Sequence, residues 1–123
     1  MNHFEDLESE RVFYFFEEIS KIPRCSGNEK EVSDYMVRFA QERNLEVFQD
    51  EIYNIIIKKP ATPGYEAAPS MALQGHLDMV CEKNMNIVHD FSKDPISLVV
   101  KDGMIYADGT TLGADNGIAV AMA

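Results

Sequence analysis

The hydrophobic period of this chain falls from helical to two at Asn44, and the change limits which folds are open to it. Before that point "SERVFYFFEEISKI" spaces Val12, Phe15, Phe16, Ile19 and Ile22 by three and four residues, an apolar helical stripe that Pro23 ends. "SGNE" sets Ser26 and Glu29 in capping-box order, and Val32, Tyr35, Met36, Phe39 and Ala40 follow with helical spacing. A second helix is expected from about Asn28 to Arg43.

Beyond Asn44 the period falls to two, and the run from Leu45 to Gln49 and "YNIIIKK" read as adjacent strands. "PATPGYEAAP" has three prolines and a glycine, so it is a loop. "ISLVV" and "MIYA" flank Lys101, Asp102 and Gly103, a hairpin signal because Asp-Gly supplies the positive φ of a tight turn. Strands interleaved with helices predict an α/β class, a mixed sheet flanked by helices. Residues 1–123 show no repeat or interdomain linker, and one core is expected. "NGIAVAMA" starts as a helix and runs to Ala123 with no C-cap glycine, basic last turn or proline. The expectation is a truncated piece of a longer domain.

Hydrophobic residues make up 46% and charged residues 26%, a globular mixture. A net charge of −10 repels phosphate backbones and anionic lipids, which disfavours nucleic acid and membrane surfaces as partners. No apolar run approaches the ~20 residues of a membrane span, and "MNHFEDLESER" lacks the plan of a signal peptide, so a cytoplasmic protein is expected. Cys25 and Cys81 have no CxxC spacing and read as free thiols of a reducing compartment. The nearness of Cys81 to His76 and Asp78 leaves a ligand role open for it.

Two stretches carry chemistry. In "LQGHLDMV", His76 and Asp78 sit at i and i+2, which on a strand puts both side chains on one face. His76 offers an imidazole nitrogen to a metal, and Asp78 either ligates as well or orients the ring by accepting its other N–H. A satisfied structural histidine is the alternative. The second stretch, "GTTLGADNG", packs glycines around Asp115 at a strand-to-helix transition. Glycines admit close backbone approach, and Asp115 is either a ligand or a helix N-cap. A phosphate-binding P-loop and a dinucleotide fingerprint both fail for want of their signatures. His89 lacks nearby ligand partners and reads as a loop histidine, and His3 lies by the N-terminus.

Taken together, "FEEISKIPRCSGNEKEVSDYM", "LQGHLDMVCEKN", "HDFSKDPISL" and "ADGTTLGADNGIAVA" resemble the aminoacyl-histidine dipeptidases, carnosinase-like members of the two-zinc exopeptidases. The resemblance covers nearly the whole chain and implies that it is the N-terminal portion of the catalytic domain, without the inserted dimerisation domain. It implies that His76 ligates one zinc and that Asp78 is a catalytic-site residue that orients that histidine. It further implies that Asp115 bridges both metals and that the peptide bond after it is cis. The implied activity is metal-dependent hydrolysis of dipeptides, Xaa-His or a broader range, with zinc, cobalt or manganese as the ion. Full-length relatives of this kind are implied to be homodimers whose general-base glutamate and remaining ligands lie further along the chain. On this view the 123 residues alone are inactive; a non-catalytic fragment and a related aminopeptidase or deacylase are the alternatives.

Overall fold

The computed structural model describes residues 9–123, so His3 and most of the acidic run "EDLESE" fall outside the described residues. The elements run α1 (Glu10–Ser20), α2 (Lys30–Glu42), β1 (Glu46–Gln49), β2 (Ile55–Lys58), β3 (Leu98–Lys101), β4 (Met104–Ala107) and α3 (Ala114–Met122). They fall into two compact units: Ser33–Leu73, and the residues up to Val32 together with Gln74–Ala123.

In the smaller unit, the helix ends at a left-handed residue, Asn44 with φ 55°, and Leu45 N–H closes back on the carbonyl of Ala40. Asparagine tolerates that conformation, which is why the chain can turn here from helical to extended backbone. β1 pairs antiparallel with β2, Glu46 opposite Lys58 and Gln49 opposite Ile55. Asp50 shapes the turn, its Oδ1 accepting from the N–H groups of Ile52 and Asn54. The Gln49 amide donates to Ser33 Oγ at 2.8 Å and Asp34 Oδ1 at 3.0 Å, and the buried Ser33 hydroxyl donates to the Tyr53 carbonyl. The hairpin is thereby tied to the helix within this unit.

In the larger unit, α1 packs on α3 where Gly117 lets Phe16 and Ile19 approach. Phe16, Ile19, Val32 and Met79 are its buried apolar side chains. Val12, Phe15 and Ile22, the rest of the expected stripe, are half-buried. α1 stops before Pro23, as its missing N–H requires. The segment after Asp78 is held on two sides. Met79 N–H donates to the Arg24 carbonyl and Ser26 N–H to that of Met79, while Thr111 N–H donates to Glu82 and Asn84 N–H to Gly109. β3 and β4 form the expected hairpin about Asp102 (φ 53°) and Gly103 (φ 73°).

Four expectations are corrected. The strands form two separate antiparallel hairpins rather than one mixed sheet. The "LQGHLDMV" run forms no strand and pairs only through a single bridge, Met79 with Cys25, and Leu73 is 69% exposed. The capping box does not form: Ser26 spends its N–H on Met79 and its hydroxyl on Asp78, while Glu29 accepts from Gly27 N–H. Finally, Cys25 and Cys81 are not free thiols. Their Cα atoms stand 5.6 Å apart across the Cys25–Met79 bridge, within disulfide range, and the sulfurs are bonded. Among the described residues no helix is long and apolar enough to cross a membrane.

Candidate metal centre

His76 and Asp78 belong to the "LQGHLDMV" run, and Asp115 to the turn that opens α3; 39 residues separate His76 from Asp115 in sequence. The folded chain brings all three together. Nδ1 of His76 lies 3.1 Å from Asp78 Oδ1 and 3.0 Å from the Asp78 carbonyl, and Nε2 lies 3.0 Å from Asp115 Oδ1. The imidazolium donates from Nδ1 to Asp78 and from Nε2 to Asp115, whereas the neutral ring with its proton on Nδ1 keeps the bond to Asp78 and leaves Nε2 with a lone pair for a metal.

The backbone of the turn explains how Asp115 reaches that place. Gly113 has φ 77°, and Asp115 (ψ 100°) and Asn116 (φ −117°) depart from helical geometry, so the regular helix begins after them. The Asp115–Asn116 peptide bond is cis. Asp115 is therefore no ordinary N-cap: no side-chain cap bond forms at this end of α3, and its carboxylate projects toward His76 with 96% of its side chain exposed. Gln74, Gly75, His76 and Asn116 line an open depression of about 270 Å³ beside it.

The His76 pKa is raised: partial burial works against the cation, but the hydrogen bond to Asp115, the backbone bond to Asp78 and both carboxylate charges outweigh it. The Asp78 carboxyl is held below its ordinary value, chiefly by the hydroxyl of Ser26. That hydroxyl donates to Oδ2 at 2.5 Å and leaves Oδ1 for the imidazole.

The donor set suits a zinc-like ion. An imidazole nitrogen and a carboxylate oxygen 3.0 Å apart are within the span of two bonds of about 2.0–2.1 Å to one cation. The second oxygen of Asp115 is free of any bond to His76 and is available to a neighbouring ion. Among the described residues no group of three or more His, Cys, Asp or Glu side chains is arranged to hold a metal, since Asp78 stands behind the ring.

Across its whole length the chain is 43% identical to the cytosol non-specific dipeptidase of Escherichia coli, of which it spans 25%. The chain is a homologue of that dipeptidase. The crystal structure of aminoacylhistidine dipeptidase from Vibrio alginolyticus superposes on 96% of the chain with a TM-score of 0.91 at 42% identity, the chain covering 24% of it. No protein-family model matches. These residues form a mixed α/β structure that spans about a quarter of the length of the relatives they match.

Other candidates are not brought to the cluster of His76, Asp78 and Asp115. Cys81 is committed to its disulfide, and His89 packs edge-on against Phe91, ring centroids 4.5 Å apart. Sequence reasoning missed two residues: Ser26, read as a helix cap, and Arg24, which is 1% exposed and donates to the carbonyls of Leu77 and Gly113. Their signal was present in "PRCSGNE", where an arginine and a polar hydroxyl stand in a turn between two helices.

Proposed function

We propose that the protein carrying these residues is a two-zinc dipeptidase acting on Xaa-His and a broader range of dipeptides. In this reading His76 and Asp115 would hold the metal, with Asp115 offering two oxygens, and Asp78 would fix the imidazole. The observation that carries it is the imidazole held from behind by Asp78 while Nε2 faces Asp115 Oδ1 at 3.0 Å. Homology to dipeptidases over the whole chain supports the same chemistry.

Paired ions of this kind, when bound, polarise the scissile carbonyl and lower the pKa of a held water toward ~7. The chain's own residues supply the rest. Asp78 keeps the His76 proton on Nδ1, so that Nε2 stays a donor of electrons. Asp115 brings negative charge that offsets two cations, and the depression along Gln74, Gly75 and Asn116 leaves room on the open side. Cobalt and manganese accept the same donor types. We assign the full-length protein to the cytoplasm as a homodimer, in line with the name of its E. coli relative for the compartment.

The 123 residues alone are proposed to be inactive, because two donors converge among the described residues and a catalytic zinc takes three. The test is Asp115→Ala in the longest natural polypeptide that contains this segment. Metal content and Xaa-His hydrolysis should be lost together; a variant that still turned over the dipeptide would overturn the assignment.

A further inference from the structure

Among the described residues Arg24 is the largest side chain to be fully buried, at 1% exposure. It sits in the turn between α1 and α2, far in sequence from the site. Its Nη1 donates to the carbonyl of Leu77 at 3.0 Å, and Leu77 is the residue between His76 and Asp78. Its Nη2 donates to the carbonyl of Gly113 at 2.8 Å, two residues before Asp115. One planar group therefore clasps both segments that carry the candidate ligands.

We propose that Arg24 is a positioning residue that sets the separation of His76 and Asp115 by bridging Leu77 and Gly113. The proposal rests on the metal-site reading above and deepens it. Three observations support it beyond the two bonds. The Arg24 main-chain carbonyl accepts from Met79 N–H at 3.0 Å, so backbone and side chain grip the same segment. A Cβ placed on Gly113 or Gly117 would stand 2.6 or 2.8 Å from Nη2, so the glycines on either side of Asp115 leave room for the guanidinium. Nε is buried without a partner among the described residues, so the group is oriented for its two carbonyls and not for its own full satisfaction. A buried guanidinium forms a rigid fork, and a lysine cannot reproduce two divergent donors in one plane. Burial lowers the Arg24 pKa while the Asp78 charge opposes that shift, and arginine stays protonated under either influence.

The test uses Arg24→Met and Arg24→Lys in the longest natural polypeptide containing these residues, with two readouts. The first is the imidazole 15N spectrum of His76 in metal-free protein, which reports the Nε2 contact with Asp115 without any ion. The second is cobalt binding, with the visible absorption of the bound ion as a signature of ligand geometry. Arg24→Met should shift the Nε2 resonance, weaken cobalt binding tenfold or more and alter the absorption of what still binds. Arg24→Lys should fall between it and the parent, because it keeps the charge and one donor contact. If the methionine variant does not fold, the lysine variant decides by the same readouts. Parent-like 15N shifts together with cobalt affinity within twofold would overturn the proposal and leave the metal site standing. A parent protein that bound no cobalt, with the Nε2 shift still moved by Arg24→Met, would overturn the metal reading and keep the positioning role.

Discussion

Ser26 Oγ donates to Asp78 Oδ2 at 2.5 Å, so the carboxylate behind the His76 ring is itself held from behind. A chain of three groups results: hydroxyl, carboxylate, imidazole. The order matters because an acceptor fixed at one oxygen presents the other in a defined direction, and groups that support a ligand from behind tune metal affinity by about 10–100-fold.

Removing that hydroxyl tests the chain of contacts. Ser26→Ala is expected to weaken metal binding about tenfold with the fold retained, since the serine is exposed at the site and its N–H bond to Met79 survives. Competition with a chromophoric chelator measures it. Ser26→Thr, which keeps the hydroxyl, should bind like the parent; equal affinity in the alanine variant would remove Ser26 from the support of Asp78.

The disulfide makes a second prediction. Cys25 and Cys81 close a loop across 56 residues of sequence, for which the chain-entropy estimate is about 4 kcal/mol and typical measured values are about 2–4 kcal/mol. Protein kept oxidised should therefore resist urea more than reduced, alkylated protein by that amount. Intact mass without reductant should be lower by two hydrogens. A reducing cytoplasm would keep the same neighbours as two thiols. Stability that did not change on reduction would show that the cross-link contributes nothing.

The local elements were legible in the sequence because each has a local cause. The stripe of α1, the Asp102–Gly103 turn and the change of period at Asn44 are all set by neighbours a few residues away. The pairing of His76 with Asp78 was legible for the same reason. The cysteine bond was not, because 56 residues separate the partners and only the folded Cys25–Met79 bridge brings them together. Ser26 was misread because "SGNE" satisfies the local capping pattern, and a carboxylate 52 residues on competes for the hydroxyl. Arg24 shows in the sequence only as an arginine in a turn between two helices, because the partners that give it a role lie 53 and 89 residues away.

Acidity offers a third test, in the smaller unit. The Asp50 carboxyl is held below its ordinary value, chiefly by the side-chain amide of Asn54 and then by the N–H groups of Asn54 and Ile52. The folded chain thus binds fewer protons here than the unfolded one. The stabilising contribution is present above the ordinary aspartate value and is lost as pH falls through the depressed one. A 13C titration should place Asp50 below a free aspartate, and Asn54→Ala should move it back up. A midpoint unmoved by Asn54→Ala would mean that the amide contact is not made in solution.

The glycines around the site make the last prediction, because their environments differ in a way that ranks them. Gly27 has φ 90° with open space where a Cβ would stand, so Gly27→Ala meets only the left-handed backbone cost of about 1–2 kcal/mol. Gly113 combines φ 77° with a Cβ position 2.6 Å from Arg24 Nη2 and 2.7 Å from Met79 Sδ. Overpacking in a filled interior adds about 1–3 kcal/mol, so Gly113→Ala should cost about 2–5 kcal/mol. Gly117 has no positive φ, but its Cβ would meet Arg24 Nη2 at 2.8 Å and Phe16 at 3.3 Å. Its alanine variant should therefore lose the overpacking share alone, about 1–3 kcal/mol, through the contact of α1 with α3. Urea unfolding of the metal-free protein reads all three, and Gly113→Ala must come out the most destabilising. Were Gly113→Ala no worse than Gly27→Ala, the guanidinium would have room to move, and the close packing of Arg24 beneath Asp115 would be wrong.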